Sequence, residues 1–435
     1  MQDGTGAALE ARIDGLMARF VGPGGPGAAI GVIRDGRFLV RRAYGLADLE
    51  WQVPLTPDTV FRICSVTKQF TAMAVMILAE RGLLDIEAPL ETCLPDWPPR
   101  GRRVTLRRLM DHTSGVWRHD GGALPDRTRR SNLPLSETLA TIHAGDFEFE
   151  PGDRYLYNNS GYMLLGQAIE TVTGQSFGNV LKREIFEPLG MTHTGLLDPE
   201  TVTPRRAHGY VRGRSGFHNA RPDAFNWSFA AGGLGSTLDD LARWEAGLRA
   251  HALVRPETFE AMLAPTRLND GGDYPYGFGW GLATYANRRV RHHTGGVSGY
   301  ACHIASFRDD ALTTIVLSNL YLFPFDQVTR GLMRAALALQ DIATGGTPLS
   351  QAEFAACAGA FEATGIPLRT LSPQDGGLVF QEPGNLRLEP SAPGVFHEAG
   401  DPEITYRFSE PRDGRFQRMD WCSPLWPPTT YRRKA

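Results

Sequence analysis

Ser65, Val66, Thr67 and Lys68 set a hydroxyl and an amine three residues apart. On a helix that spacing projects both groups from one face, one turn apart. A serine hydroxyl is a weak nucleophile until a base takes its proton, and a lysine is such a base only where it is partly neutral. Moving a lysine pKa from about 10.4 to near 7 costs about 4 to 5 kcal/mol, which burial and neighbouring positive charge supply. From Val66 to Arg81 the chain is apolar on most faces, so a buried helix around Lys68 is expected, stopped by Gly82. A helix start also leaves the Ser65 N–H free to hold a developing oxyanion. Alone, an SxxK arises readily by chance, and a serine in that place is commonly a plain N-cap.

Two further groupings supply complementary parts. Tyr157-Asn158-Asn159, within Pro151-Gly-Asp-Arg-Tyr-Leu-Tyr-Asn-Asn-Ser-Gly-Tyr162, offers a phenol able to pass a proton and an amide able to hold a substrate carbonyl. His293-Thr294-Gly295-Gly296 offers a Gly-rich strand edge that a substrate backbone can approach, with the Gly296 N–H as a second oxyanion donor. Each taken singly also reads as a polar turn. Other chemistries find less support. The chain has no GxSxG elbow and no HExxH metal motif. His112 and Ser114 in Asp111-His-Thr-Ser-Gly115 invite a triad, but a scaffolding role is the expectation. Cys64 is expected to be a buried neighbour of the nucleophile, and Asp239-Asp240 to be helix capping rather than a metal site.

The elements that must carry these groups are partly legible. Ala7 to Phe20 repeats apolar residues on one helical face, and Ala28–Ile33 and Phe38–Ala43 flank Arg34-Asp35-Gly36-Arg37, a strong hairpin signal. Residues 95 to 270 read as helical patches with Pro- and Gly-rich joins, including a helix opened by Thr237 with Asp240 as a capping box. Strand character returns at Tyr300–Phe307 and Leu312–Ser318, followed by an amphipathic helix through Val328, Leu332, Met333, Ala336 and Leu339. Strands and a helix at both ends imply a sheet closed by its own termini with a helical lobe beside it. From residue 348 short alternating runs, such as 377–381, 404–408 and 416–421, predict a small antiparallel β domain, with Trp421 and Trp426 in its core.

Taken in order, the three groupings resemble the SxxK, YxN and KTG-type boxes of serine β-lactamases and penicillin-binding proteins. The resemblance extends through Val104-TLRRLMDHTSGV-Trp117, Phe186-EPLGMTHT-Gly195, Ala231-GGLGSTLDDLAR-Trp244 and Tyr276-GFGW-Gly281. It covers roughly residues 20 to 345 and points to the class C β-lactamase-like branch. Within it, residues 22–49, Cys64-SVTKQFT-Thr71 and Pro275-YGFG-Trp280 are most similar to bacterial D-aminopeptidases. The resemblance implies an α/β (α+β) fold in two domains. Residues 1–345 would form a serine hydrolase domain, with an antiparallel sheet flanked by helices and an all-helical lobe. Residues 346–435 would form a lipocalin-like antiparallel β-barrel. It further implies an acyl-enzyme at Ser65, proton transfer through Lys68 and Tyr157, and an oxyanion hole from the Ser65 and Gly296 N–H groups. Asn159, Thr294 and Gly295 would contact substrate, and His293 would shape the leaving-group side. The third box usually begins with Lys; His293 is mostly neutral at pH 7 and offers less to a substrate carboxylate. The implied substrate is a small peptide or amide with an N-terminal D-residue. An esterase, a β-lactamase or DD-peptidase, and a sensor that acylates without turnover are the alternatives. D-aminopeptidases carry two C-terminal barrels and this chain has room for one.

Composition narrows the field. Across 435 residues, 42% apolar and 21% charged, the profile is that of a globular enzyme. A formal net charge of -3 argues against a nucleic-acid partner. Lysine occurs only at 68, 182 and 434, so 42 of the 45 cations are arginine and a lysine inside an apolar run is conspicuous. MQDGTGAALE shows neither a basic n-region nor an apolar h-region, and no run is long enough to span a bilayer, so neither secretion nor a membrane is expected. Five scattered cysteines without ligand spacing predict reduced thiols, no zinc and a cytoplasmic protein. No metal or organic cofactor is called for, and a homodimer is the assembly allowed for.

Overall fold

The computed structural model describes residues 3–120, 134–198, 201–221, 225–340, 342, 349–363, 366–381 and 386–434. The chain divides into two compact units, Met1–Leu282 with Arg288–Leu337, and Ala283–Asn287 with Ala338–Ala435. The boundary expected between 345 and 346 lies outside the described residues.

In the first unit the predicted hairpin forms, Ala28–Arg34 against Arg37–Tyr44. Asp35 and Gly36 take φ of 51° and 74° at its tip, the left-handed pair that a two-residue hairpin loop demands. The antiparallel sheet runs Arg288–Val297, Tyr300–Phe307, Leu312–Ser318, Ala28–Arg34, Arg37–Tyr44. Ala28 pairs with Ser318 and Arg34 with Leu312, so the first and last strands of the unit close the sheet as expected. Tyr300–Phe307 and Leu312–Ser318 are buried throughout, as central strands covered on both faces must be. Helices Asp3–Met17 and Phe325–Ala336 pack together, the latter also against the two central strands. Helix Leu238–Arg249 packs against the strands Ala28–Arg34 and Leu312–Ser318. Helix Thr67–Glu80, which carries Lys68, lies among helices Asn159–Thr173, Phe177–Leu181 and Phe225–Gly232, the helical lobe.

One buried ion pair joins sheet to helix. The Arg291 guanidinium donates to both Glu245 carboxylate oxygens at 3.1 and 2.8 Å and stacks over Trp280 at 4.5 Å. Both side chains are at most 5% exposed. Glu245→Ala is expected to strand the cation and lower unfolding free energy by about 3–5 kcal/mol. Urea denaturation measures this, and a loss below about 1 kcal/mol would show that the pair is dispensable. The capping box expected at Thr237 is only half present. Thr237 Oγ1 accepts from the Asp240 N–H at 3.2 Å. The Asp240 carboxylate instead accepts from the His193 N–H, the Thr194 hydroxyl and Arg243. Tertiary partners outcompete the local one.

The second unit contains a closed antiparallel barrel of eight strands, from Gly359–Ala363 to Trp426–Arg433, sealed by Phe361 opposite Arg433. Along Asp401–Arg412 the residues Ile404, Tyr406 and Phe408 alternate inwards, joining Phe361, Leu378, Leu388, Phe396 and Met419 in the core. This is the period-2 pattern that identified the strands, and Trp421 packs against that core as expected.

Candidate active site

Ser65 lies in a single 3-10 turn, Cys64–Val66, that runs directly into helix Thr67–Glu80. From Thr59 to Leu78 every residue is buried except Ser65, so the fold opens one hydroxyl in an otherwise sealed segment. Two tight approaches hold this turn. A Cβ on Gly295 would sit 2.7 Å from Cys302 Sγ, Cys64 Cβ and the Ile63 carbonyl, so only glycine lets the strand 293–296 lie against the turn that holds Ser65. Gly279, at φ 79°, brings its backbone onto the Lys68 carbonyl, where a Cβ would lie 2.8 Å from the oxygen.

Lys68 is fully buried. Its Nζ lies 2.7 Å from Asn159 Oδ1, 2.8 Å from the Ala231 carbonyl and 3.2 Å from Ser65 Oγ. The rings of Tyr157 and Tyr162 stand 4.8 and 5.3 Å from it. Burial lowers its pKa to about 7 against the weak opposing pull of Asp120 and Cys64. That is a cost of about 5 kcal/mol to the ammonium form. The three contacts suit a neutral amine. The two carbonyl oxygens can only accept, so the two N–H donors go to them and the lone pair faces the Ser65 hydroxyl.

Tyr157 interacts with the Ser65 hydroxyl, and burial raises its phenol above the ordinary value. It therefore stays protonated at neutral pH and is suited to give a proton rather than take one. Asn158 caps helix Asn159–Thr173, its Oδ1 accepting from the Gly161 N–H, and this delivers Asn159 to Lys68. The Asn159 amide also donates to Asp120.

His293, Thr294, Gly295 and Gly296 pair in register with Ile304, His303, Cys302 and Ala301. Gly296 is exposed and a Cβ there would meet nothing within 4 Å, so the strand edge is open at this point. The structure thus brings Ser65, Lys68, Tyr157, Asn159 and the strand 293–296 into one neighbourhood.

Sequence reasoning missed the groups behind them. Asn158 N–H donates to His112 Nδ1 at 3.1 Å, which leaves the proton of a neutral His112 on Nε2. That nitrogen lies 3.2 Å from the Tyr276 hydroxyl, which in turn lies 2.9 Å from His293 Nε2. His293 Nδ1 lies 2.6 Å from the Thr294 carbonyl, which can only accept. One assignment satisfies every link: His112 donates to Tyr276, Tyr276 to His293, and His293 to Thr294, with both imidazoles neutral. Burial, then the Lys68 charge, lowers His293 to about 3 and His112 well below the usual value. His293 therefore brings no positive charge to the third box, and both its nitrogens are engaged. The signal was present in Pro275-YGFG-Trp280 and Asp111-HTSG, but nothing in the spacing tied either to His293. Tyr276→Phe is expected to leave the His293 acceptor and the His112 donor unpaired and to lower kcat/KM about tenfold, with kcat more affected than KM and the melting temperature lowered by a few degrees. Unchanged kinetics would reduce Tyr276 to a packing residue.

No group of three or more His, Cys, Asp or Glu able to hold a metal ion occurs among the described residues, and all five cysteines are free thiols. None of the described helices is long and apolar enough to cross a membrane.

A family model described as Beta-lactamase matches residues 9–338. The chain belongs to the beta-lactamase family, as the three boxes led one to expect. A D-aminopeptidase of Gluconobacter oxydans is 32% identical over 73% of this chain and 60% of its own length. A D-aminopeptidase of Brucella anthropi is 30% identical over 72% and 59%. The chain thus spans about three fifths of the curated relatives it matches. Among solved structures, the octameric penicillin-binding protein homologue from Pyrococcus abyssi aligns over 99% of this chain and 100% of its own, with TM-score 0.69 and 24% identity. D-amino acid amidase from Ochrobactrum anthropi SV3 aligns over 77% of this chain and 99% of its own, at 0.65 and 22%. Both share the fold.

Proposed function

We propose that the chain is a serine hydrolase that acts through an acyl-enzyme at Ser65 and releases N-terminal D-residues from peptides or amides. The observation that carries the mechanism is the buried Lys68 amine, lowered to about 7 and set 3.2 Å from Ser65 Oγ. Ser65 Oγ attacks the substrate carbonyl carbon while its proton passes to the Lys68 lone pair, and the carbonyl oxygen gains negative charge. The Ser65 and Gly296 N–H groups face that oxyanion, a contribution typically worth about 3 kcal/mol per donor. Collapse of the intermediate breaks the C–N bond, and the amine leaves with a proton delivered from Lys68 through the Tyr157 phenol. Water then attacks the ester carbon as its proton passes to the same pair; the bond to Ser65 Oγ breaks, the pair returns the proton to Oγ, and the free acid leaves. Asn159 orients the acyl amide while accepting from Lys68, and Thr294 and Gly295 line the strand edge on which the substrate lies.

The D-aminopeptidase reading is supported by the names of the two relatives and by the uncharged third box, which favours a substrate presenting a free amine or neutral acyl group there. D-alanine p-nitroanilide is expected to be hydrolysed at least about tenfold faster than the L-isomer, a difference of about 1.4 kcal/mol in transition-state binding. Equal rates would overturn the stereospecific reading, and turnover of p-nitrophenyl esters or nitrocefin alone would move the activity to an esterase or β-lactamase. Within the same proposal, residues 1–345 form the catalytic domain and 346–435 the barrel domain. The same proposal takes the protein as cytoplasmic and needing no cofactor, and allows for a homodimer; light scattering of the purified chain tests the assembly.

A further inference from the structure

Three arginines are buried among the described residues, Arg62, Arg291 and Arg330. Arg291 is paired with Glu245 and Arg330 with Asp326. Arg62 is different. It is 5% exposed, makes no ion pair among the described residues, and its Nη2 donates only to the neutral Ser228 hydroxyl at 3.1 Å. Its Nε is buried without any hydrogen-bond partner. An unpaired guanidinium with an orphaned donor is costly to bury, and a bound ion or an ordered water supplies the partner such a group lacks.

A cavity of about 210 Å³ lies against this side chain, walled also by Arg206, His208, Ser298 and Tyr300. No described wall residue carries a carboxylate. Arg206 makes no ion pair among the described residues, and its guanidinium donates to the Asp198 carbonyl at 3.4 Å. Of the acids beside these walls, Glu50 accepts from Asn219, Asp48 accepts from the Glu50 and Trp51 N–H groups, and Asp198 meets Arg206 through its carbonyl. Both guanidiniums act on the same point. Burial raises the Tyr300 phenol to about 12 while Arg62 and then Arg206 pull it down. The walls are continuous in the chain with the catalytic groups, since Arg62 lies three residues before Ser65 and Ser298 two after Gly296.

We propose that this cavity is a carboxylate-binding site, with the anion held between the Arg62 and Arg206 guanidiniums beside Ser298 and Tyr300. A carboxylate is planar, accepts at two oxygens and supplies the charge that Arg62 lacks. It also gives the family scaffold a cationic subsite at a place other than its third box, where His293 is neutral. The site stands on its own residues and does not depend on the D-aminopeptidase reading.

Calorimetric titration of the full chain with sodium acetate, at ionic strength held constant with sodium chloride, is the direct test. Saturable one-to-one binding is expected, weakened at least about tenfold in Arg206→Gln and in Arg62→Gln, the loss typical of one charged hydrogen-bonded contact. Arg206→Gln is the informative variant should Arg62→Gln fold poorly, since Arg206 is only partly buried; circular dichroism and melting temperature report the fold. Absence of saturable binding to wild type, or binding undiminished in a folded Arg206→Gln protein, would overturn the site. A peptide substrate and its C-terminal amide identify the source of the anion. A KM raised by Arg206→Gln for the free acid alone assigns the cavity to the substrate's own carboxylate. Equal KM changes, with acetate binding lost, assign it to a free carboxylate effector. Acetate binding by a wild-type protein that hydrolyses nothing would remove the proposed activity and leave this site standing.

Discussion

Ser65→Ala is expected to abolish covalent labelling by a fluorophosphonate probe and to reduce turnover of the best p-nitroanilide by at least about 10³-fold. The reason is geometric as well as chemical. Between Thr59 and Leu78 only the Ser65 side chain escapes burial, so no other nucleophile of that segment reaches substrate. The change removes one atom and leaves Lys68 two of its three partners, the Asn159 amide oxygen and the Ala231 carbonyl. The melting temperature is therefore expected to stay within a few degrees of wild type, as for an ordinary substitution away from the core. Intact-mass spectrometry after labelling reads the result. A labelled or active alanine variant would place the nucleophile elsewhere and remove the mechanism proposed above.

Lys68→Met keeps an unbranched apolar stem of similar volume and deletes the amine proposed as the base. Its expected cost is about 10²–10⁴ in kcat/KM, the usual worth of general acid–base catalysis. The wild-type pH profile carries the sharper signature. Because burial lowers Lys68 to about 7, kcat/KM should rise about tenfold per pH unit below that point and level off above it. A limb centred near 3 would point to His293 as the base, and one near 10 to an unburied lysine. The same shift acts on stability. Between about 7 and 10.5 the unfolded chain holds a proton on Lys68 that the folded one has shed. Stability from this group therefore increases with rising pH across that window, and Lys68→Met should flatten the increase.

How much of this was legible beforehand follows from the range of the forces involved. The Asp35-Gly36 hairpin, the central strands Tyr300–Phe307 and Leu312–Ser318 and the inward alternation of Ile404, Tyr406 and Phe408 are written in local periodicity and turn chemistry. Hydrogen-bond geometry and burial repeat over two to four residues in those elements, so composition at that spacing determines them. Ser65 and Lys68 were visible for the same reason, as two groups one helical turn apart. Asp240 shows where local signals stop, since its carboxylate left the expected box for His193, Thr194 and Arg243. The state of Lys68 was decided only in three dimensions. Its amine is desolvated and held by Asn159 and Ala231, 91 and 163 residues away in the chain. The relay from His112 through Tyr276 to His293 spans 164 and then 17 residues, and the bare Arg62 guanidinium meets Ser228 across 166. Proton affinity and the pairing of a buried charge depend on everything packed within a few ångströms, and for these groups the packing partners come from distant parts of the chain.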